Sequence, residues 1–448
     1  MFLSVWCLSG NGLYFIPKHF LLPVGDLIVE DCLWCISCSM KCCNLFYSYI
    51  GDSSFHNHFH SLPIPLPTNI NARLVPNSLK FAADMNSFRE FNGCNEEAKV
   101  LAVIFDLDGT LLDTERATRG VLNEFLAKYG KKLDREKEEK KRLGMTQKES
   151  AGVIVKDYEL PLTADQFITE INPLYRERWA KAKALPGVNR LIKHIHKNGV
   201  PMALASNSLR EYIDAKISYH KGWKECFSAI LGSDQVKSGK PSPYLFEEAA
   251  KKMGIEAVNC LVIEDSLVGV KAANAAKMKV VAVPSRREAD SYGLANVALH
   301  SLLEFEPELW GLPPFDDWVD NTLPIEPIHL SGLYVDGCLH ETTEDATFAA
   351  LPDQVVGLYF GWAKVDTDDD FKILVSINLD LSVVAYKKIH VYLIDTNSES
   401  KQLMQIHLVG YIRAWDNKEI KSTEMQKLEE YKSIARASLD LPSFTCYL

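Results

Sequence analysis

The sequence holds 448 residues, 47% of them hydrophobic and 24% charged, with a formal net charge of −10. That balance excludes a largely disordered chain, and the length leaves room for two or three domains of about 100–200 residues each. The acidic charge excludes a general attraction for nucleic acid or anionic lipid, so neither a nucleic-acid partner nor a membrane is expected.

Seven of the 11 cysteines (Cys7, Cys32, Cys35, Cys38, Cys42, Cys43, Cys94) lie in the first 94 residues. The other four, Cys226, Cys260, Cys338 and Cys446, are too scattered for a disulfide framework, which points to a reducing, cytoplasmic compartment. No apolar run near the start reaches the roughly 18–20 residues of a membrane helix. Lys18, Asp26, Glu30 and Asp31 interrupt every candidate. The positive charge of a secretory n-region is missing, and the first arginine is Arg73, which disfavours a transit peptide. Cys32-x2-Cys35-x2-Cys38-x3-Cys42 has the spacing of a bacterial iron–sulfur loop, with His56, His58 and His60 beyond it. Cys43 stands where a proline usually follows, and no second cluster motif exists, so this stretch reads as a low-constraint extension. Residues 1–97 are expected to be an N-terminal extension, poorly ordered or not native. Met85, 21 residues before the first strong motif, is a candidate natural start.

Beyond Val100 short apolar runs recur, each ending in polar residues: Leu101–Phe105, Met202–Ala205, Leu261–Ile263 and Lys279–Val283. Such runs are the pattern of strands buried on both faces. Helical spacing lies between them. The charge run Lys131–Arg142 pairs Arg135 with Glu139 and Glu136 with Lys140 at i,i+4, the mark of a solvated helix face. In Pro186–Lys197, Val188, Leu191, Ile192 and Ile195 form an apolar stripe, with Pro186 suited to the first turn. Alternating strands and helices predict a doubly wound parallel α/β sheet with its ligand at the carboxyl ends of the strands.

Four polar clusters fall at such ends. Asp106-Leu107-Asp108-Gly109-Thr110 leaves the first strand, and Ser206-Asn207-Ser208 follows the second run. Lys240-Pro241 precedes a helix that Ser242 is expected to cap, and Glu264-Asp265-Ser266 follows Leu261–Ile263. Together they supply a nucleophilic carboxylate, an acid/base carboxylate, a hydroxyl and an ammonium for phosphate oxygens, and further carboxylates for a hard cation. Oxygen ligands with a phosphate co-ligand suit Mg²⁺. The implied chemistry is phosphoryl transfer through an aspartyl-phosphate: Asp106 attacks phosphorus, and Asp108 protonates the leaving alcohol and then activates water. Lys240 and Mg²⁺ neutralise charge on the phosphoryl oxygens. Gly232–Lys240 is not a nucleotide-binding P-loop, because six residues separate Gly232 from Gly239 and Pro241 replaces the Ser/Thr.

With these four clusters, residues 101–285 resemble a haloacid dehalogenase-type phosphatase. Asp106 to Thr114 match motif one, Ser206 motif two, Lys240 motif three and Glu264-Asp265 motif four. The resemblance implies Asp106, Asp108 and Lys240 as catalytic residues, Thr110, Ser206 and Asn207 as phosphate ligands, and Asp106, Asp108, Glu264 and Asp265 as the Mg²⁺ ligands. It also implies a phosphatase domain over 98–300 with a helical cap at about 116–185. Within that cap Gly144-Met145-Thr146 reads equally as a specificity loop and as a simple helix start.

Residues 301–327, which include Trp310-Gly311-Leu312-Pro313-Pro314 and Leu323–Pro327, read as a proline-rich linker. Beyond it, Gly357–Ala363, Phe371–Ile377, Ile389–Ile394 and Gln405–Ile412 are strand-like and Thr423–Leu439 is an amphipathic helix. Residues 328–448 resemble the small antiparallel barrel of riboflavin kinases, a likeness carried by Leu323-Pro324-Ile325 just ahead of them and by Gly357-Leu358-Tyr359-Phe360-Gly361-Trp362, Val409-Gly410-Tyr411-Ile412-Arg413 and Leu439-Asp440-Leu441-Pro442. The whole span 98–444 is similar to the plant bifunctional riboflavin kinase/FMN phosphatases. That resemblance implies FMN as the small phosphate substrate. It also exposes departures. Gly337-Cys338-Leu339-His340 to Thr347-Phe348-Ala349-Ala350 stands where the family has its Mg-ATP loop, and His390 follows Lys388-Ile389 where the family has its catalytic glutamate. ATP binding by this barrel is therefore not expected. Riboflavin kinase activity and hydrolysis of another phosphate monoester, such as a sugar or nucleoside phosphate, are the alternative readings.

Overall fold

The computed structural model describes residues 6–9, 12–15, 99–134, 147–285, 293–342, 351–365, 370–380, 386–395, 402–414 and 424–445. The chain divides into two compact units, residues 1–95 and 96–448. In the first, β1 (Trp6–Ser9) and β2 (Gly12–Phe15) pair as an antiparallel hairpin. The Cys32–Cys42 spacing, the three histidines after it and Met85 lie outside the described residues, as do Gly144-Met145-Thr146 and 343–350.

The second unit begins with a six-stranded, all-parallel sheet of β3 (Ala102–Phe105), β4 (Met202–Ala205), β5 (Ala229–Leu231), β6 (Cys260–Glu264), β7 (Lys279–Ala282) and β8 (Val297–Ala298). Its spatial order is β5-β4-β3-β6-β7-β8. Chain direction along the sheet reverses about β3, so the ends of β3, β4 and β6 face one crevice, the switch point where open α/β sheets take their ligands. β3, β4 and β6 are buried along their whole length, as their apolar runs require, with the Glu264 carboxylate closing β6.

Helices α1 (Thr114–Ala117), α2 (Val121–Ala127), α3 (Gln147–Asp157) and α4 (Ala164–Trp179) come between β3 and β4. Phe125, Ile154, Phe167 and Ile171 give them an apolar core of their own, in which Phe125 and Phe167 meet edge to face at 4.9 Å. Thr163 and Gln166 form a reciprocal capping box at the start of α4. α5 (Val188–Lys197) leads into β4, and between β4 and the barrel run α6 (Arg210–Ile217), α7 (Trp223–Cys226), α8 (Tyr244–Met253) and α9 (Leu267–Ala275). The expected stripe of α5 is buried throughout. Its N-cap, however, is Gly187, so Pro186 stands outside the helix. Ser242 does not cap α8 either: Pro243 holds the N-cap position, and the Ser242 N–H is spent on the Gly239 carbonyl.

The remainder is a closed antiparallel barrel of β9 (Leu323–Val335), β10 (Cys338–His340), β11 (Gly357–Val365), β12 (Asp370–Asp380), β13 (Tyr386–Leu393) and β14 (Gln402–Arg413). α10 (Glu424–Leu439) and α11 (Pro442–Thr445) follow, and Ala435, Leu439 and Phe444 pack on its outer wall. The chain thus has the expected architecture, an α/β sheet with inserted helices followed by a small barrel.

The segment expected as a linker is packed. Leu302, Leu303, Phe305 and Leu312 are buried, and Leu303 belongs to the core inside the barrel. A Cβ on Gly187 would collide with the Leu302 backbone, so that close approach requires a glycine, whose φ of 83° suits it further. Arg190 on α5 holds Asp317 with two hydrogen bonds of 2.7 Å, and its guanidinium lies 3.4 Å from the centroid of Phe315. The barrel begins inside the same segment, at Leu323 rather than 328, because β9 accepts Pro324 and Pro327 near its start. β14 meets it there through a register shift between Leu408 and Gly410.

Candidate functional site

Three of the polar clusters hang from buried strand ends and Lys240 from the loop before α8; the Asp106, Lys240 and Glu264 clusters converge at the crevice floor. The Asp106 N–H bonds the Ile263 carbonyl (3.0 Å), extending the β3–β6 pairing by one step. Lys240, on the loop leading to α8, reaches both neighbours: its Nζ lies 2.5 Å from Asp106 Oδ1 and 2.7 Å from Glu264 Oε1. The other Glu264 oxygen accepts from the Ser266 N–H (2.7 Å) and hydroxyl (3.0 Å). Both lysine contacts are buried, with Lys240 6% and Glu264 1% exposed.

Two carboxylates against one ammonium leave an excess of negative charge in a dry site. Burial drives the Asp106 carboxyl up to about 7; Lys240 pulls it down by less, and Glu264 and Asp108 add to the rise. Burial also works against charge on Lys240, but Asp106 and Glu264 outweigh it and raise the ammonium pKa.

Asp106, Glu264 and Asp265 each present one oxygen within 4.8 Å of the others, a hard-oxygen set that fits a divalent cation such as Mg²⁺. The floor is shaped for it. Gly109 has a φ of 89°, and a Cβ there would strike the Asp265 carboxylate. Thr110 donates its hydroxyl to Asp265 Oδ1 (3.2 Å).

The Asp108 carboxylate is not one of the three in this group and is held by other partners. Lys216 Nζ lies 2.7 and 2.8 Å from its two oxygens, and the Ser208 hydroxyl donates to Oδ2 at 2.8 Å. Burial raises the Asp108 pKa, but Lys216, Ser208 and Thr114 outweigh it and hold the carboxyl below the usual range. Ser206 also turns its hydroxyl towards Asp108 (3.4 Å). The Asn207 side chain is committed elsewhere: its carbonyl accepts from the Lys240 N–H (2.8 Å) and its amide donates to the Lys240 carbonyl (3.1 Å). Asn207 thus ties the second cluster to the third.

Sequence reasoning missed Lys216. The signal was present, since Ile213, Lys216 and Ile217 share one buried face of α6, and a lysine on an apolar stripe needs a partner.

In the barrel, His390 on β13 lies opposite Cys338 on β10 and Ser376 on β12. Burial and Lys388 hold its pKa below the ordinary histidine value. Among the described residues no helix is long and apolar enough to cross a membrane.

The sequence profile of haloacid dehalogenase-like hydrolases matches residues 103–283. A bifunctional riboflavin kinase/FMN phosphatase of Arabidopsis thaliana is 42% identical over 376 residues, 80% of this chain and 96% of that protein. A mitochondrial (DL)-glycerol-3-phosphatase 1 of the same plant is 34% identical over 54% of this chain and 86% of its own length. Among solved structures, CbbY from Rhodobacter sphaeroides in complex with phosphate covers 46% of this chain and 96% of its own, at 25% identity and a TM-score of 0.41.

Proposed function

Because the chain belongs to the family of the bifunctional riboflavin kinase/FMN phosphatases and carries a haloacid dehalogenase-like hydrolase domain, we propose that it hydrolyses FMN to riboflavin and phosphate. The observation that carries the reaction class is the buried convergence of Asp106, Lys240, Glu264 and Asp265 at the end of a parallel sheet. The choice of FMN is supported by identity that spans nearly the whole of the Arabidopsis protein, barrel included.

Lys240 occupies Asp106 Oδ1 and leaves Oδ2 as the attacking oxygen. Asp106 forms a bond to phosphorus as the bond to the ribityl oxygen breaks, and Asp108, in the minority of molecules in which its lowered carboxyl carries a proton, gives that proton to the oxygen. Asp108 then takes a proton from the water that attacks phosphorus, releasing phosphate and restoring the Asp106 carboxylate. Asp106, Glu264 and Asp265 would hold Mg²⁺, whose charge offsets that of the phosphoryl group. Helices α2 to α4 act as a cap that excludes water.

The barrel supports the fold rather than a kinase in this reading. His390 stands where the family resemblance calls for a glutamate, and an imidazole does not reproduce a carboxylate base backed by a nucleotide loop. The deciding experiment offers the full-length protein FMN, glycerol 3-phosphate, a sugar phosphate and a nucleoside monophosphate with Mg²⁺, then riboflavin with ATP. Preference for FMN and no FMN synthesis support the proposal. Indifference to FMN refutes the substrate, and ATP-dependent FMN formation refutes the loss of the kinase.

A further inference from the structure

Lys216 is a buried lysine with no part in binding phosphate or metal, and its three ammonium protons are all spent at one place. It donates to Asp108 Oδ1 (2.7 Å), Asp108 Oδ2 (2.8 Å) and Ser208 Oγ (3.0 Å). Ser208 closes the triangle by donating to Asp108 Oδ2. The carboxylate is thereby gripped on both oxygens, and it is not among the Asp106–Glu264–Asp265 oxygens.

The lysine is itself gripped from above. The ring of Trp179, the last residue of α4, lies 5.2 Å from its Nζ, within cation–π range. Around that contact α4 and α6 are stitched together. Asn172 donates to the Tyr212 hydroxyl (2.5 Å), Arg176 pairs with Glu211 (3.2 Å), and Trp179 packs on Tyr212 at 5.2 Å between centroids. The helix that ends the cap and the side chain assigned to proton transfer therefore meet at one residue.

We infer that Lys216 is a positioning residue, which fixes the direction of the Asp108 carboxylate and links it through Trp179 to the last helix of the cap. The inference rests on the phosphatase reading above and deepens it. Lys216 acts through Asp108, so its removal must cost turnover where Asp108 is present and little where it is absent.

The test is a double-mutant cycle in the full-length protein with Mg²⁺, using the phosphate monoester that the wild type turns over fastest. Lys216→Met should lower kcat by about tenfold or more, a part of the 10²–10⁴-fold typical of general acid–base catalysis. KM should change by less than about threefold, because lost catalysis and lost ground-state binding separate in this way. Lys216→Arg should recover part of the loss. In the Asp108→Asn background, Lys216→Met should change kcat by less than about twofold. An unchanged kcat in Lys216→Met, or an equal loss in both backgrounds, overturns the inference. If Lys216→Met gives no cooperative thermal transition, Lys216→Gln is read by the same criteria. Full activity of Asp108→Asn would remove Asp108 from the reaction and the inference with it. A wild type inert to every phosphate monoester would overturn the phosphatase reading itself.

Discussion

Asp353, on the loop before β11, pairs with Arg116 on α1, with Arg116 Nη2 2.5 Å from Asp353 Oδ1. The arginine also contacts Asp113, the last carboxylate of the first motif, at 3.2 Å. Lys387 of the barrel steadies the loop from the other side, donating to the carbonyls of Pro352 and Val355. The barrel thus touches the chain where it leaves the catalytic motif and enters the cap.

That contact predicts a modest, charge-dependent effect. Both side chains are mostly covered, 19% and 24% exposed, so Asp353→Ala should destabilise the protein by about 1 kcal/mol, at the upper end for an accessible pair. Asp353→Lys, which sets like charges together, should cost more. Thermal unfolding of the two variants checks the order; equal midpoints would mean that the pair contributes nothing.

Asp106→Asn should reduce turnover at least on the order of a thousandfold, as loss of a nucleophile does. The amide cannot form the phospho-enzyme, while its shape fits the same buried place. Acid-quench trapping of phosphorylated protein checks this directly. Label retained on Asp106→Asn would mean that another group is phosphorylated.

The raised Asp106 carboxyl gives the metal-free protein a distinctive pH response. Below its ordinary value of 3.8 the group is protonated both folded and unfolded and contributes no pH dependence. Between 3.8 and about 7 the unfolded chain ionises it while the folded chain keeps the proton, so stability falls as pH rises and the cost is complete above about 7. Asp106→Asn lacks this ionisation. In chelator, wild type minus Asp106→Asn should therefore lose thermal stability across that window, and Mg²⁺ should reverse the loss. A flat difference would show that the carboxyl is not raised.

Gly109→Ala tests the floor of the metal group. The left-handed backbone and the collision with Asp265 should together cost about 1–3 kcal/mol, the range for backbone strain of this kind. They should also displace a cation ligand. Titration of activity with Mg²⁺ should then need higher metal for half-saturation. An unshifted titration would separate Asp265 from metal binding.

Much of the candidate site was legible because its residues sit where buried apolar strands end. Asp106, Ser206 and Glu264 follow runs whose period and length mark them as interior strands, and the sheet does converge them. β5 was missed because Ala229–Leu231 is three residues long, too short for any period. β9 was missed because two prolines made its start look like a joint, whereas the shift in β14 absorbs them. Side-chain direction was the harder quantity. The motif pattern put Asp108 and Asn207 among the cation and phosphate ligands. Long-range partners, Lys216 for one and the Lys240 backbone for the other, engage them, and local sequence does not name partners 108 and 33 residues away.

The packing of residues 302 and 303 bears on how freely the two halves of the catalytic unit can evolve apart. Leu302 presses its backbone on Gly187 at the start of a phosphatase helix, while the next side chain fills the interior of the barrel. A gene truncated at this point would remove the barrel and the packing of residue 303 within it. A substitution at either position must therefore satisfy the hydrolase helix and the barrel interior at once.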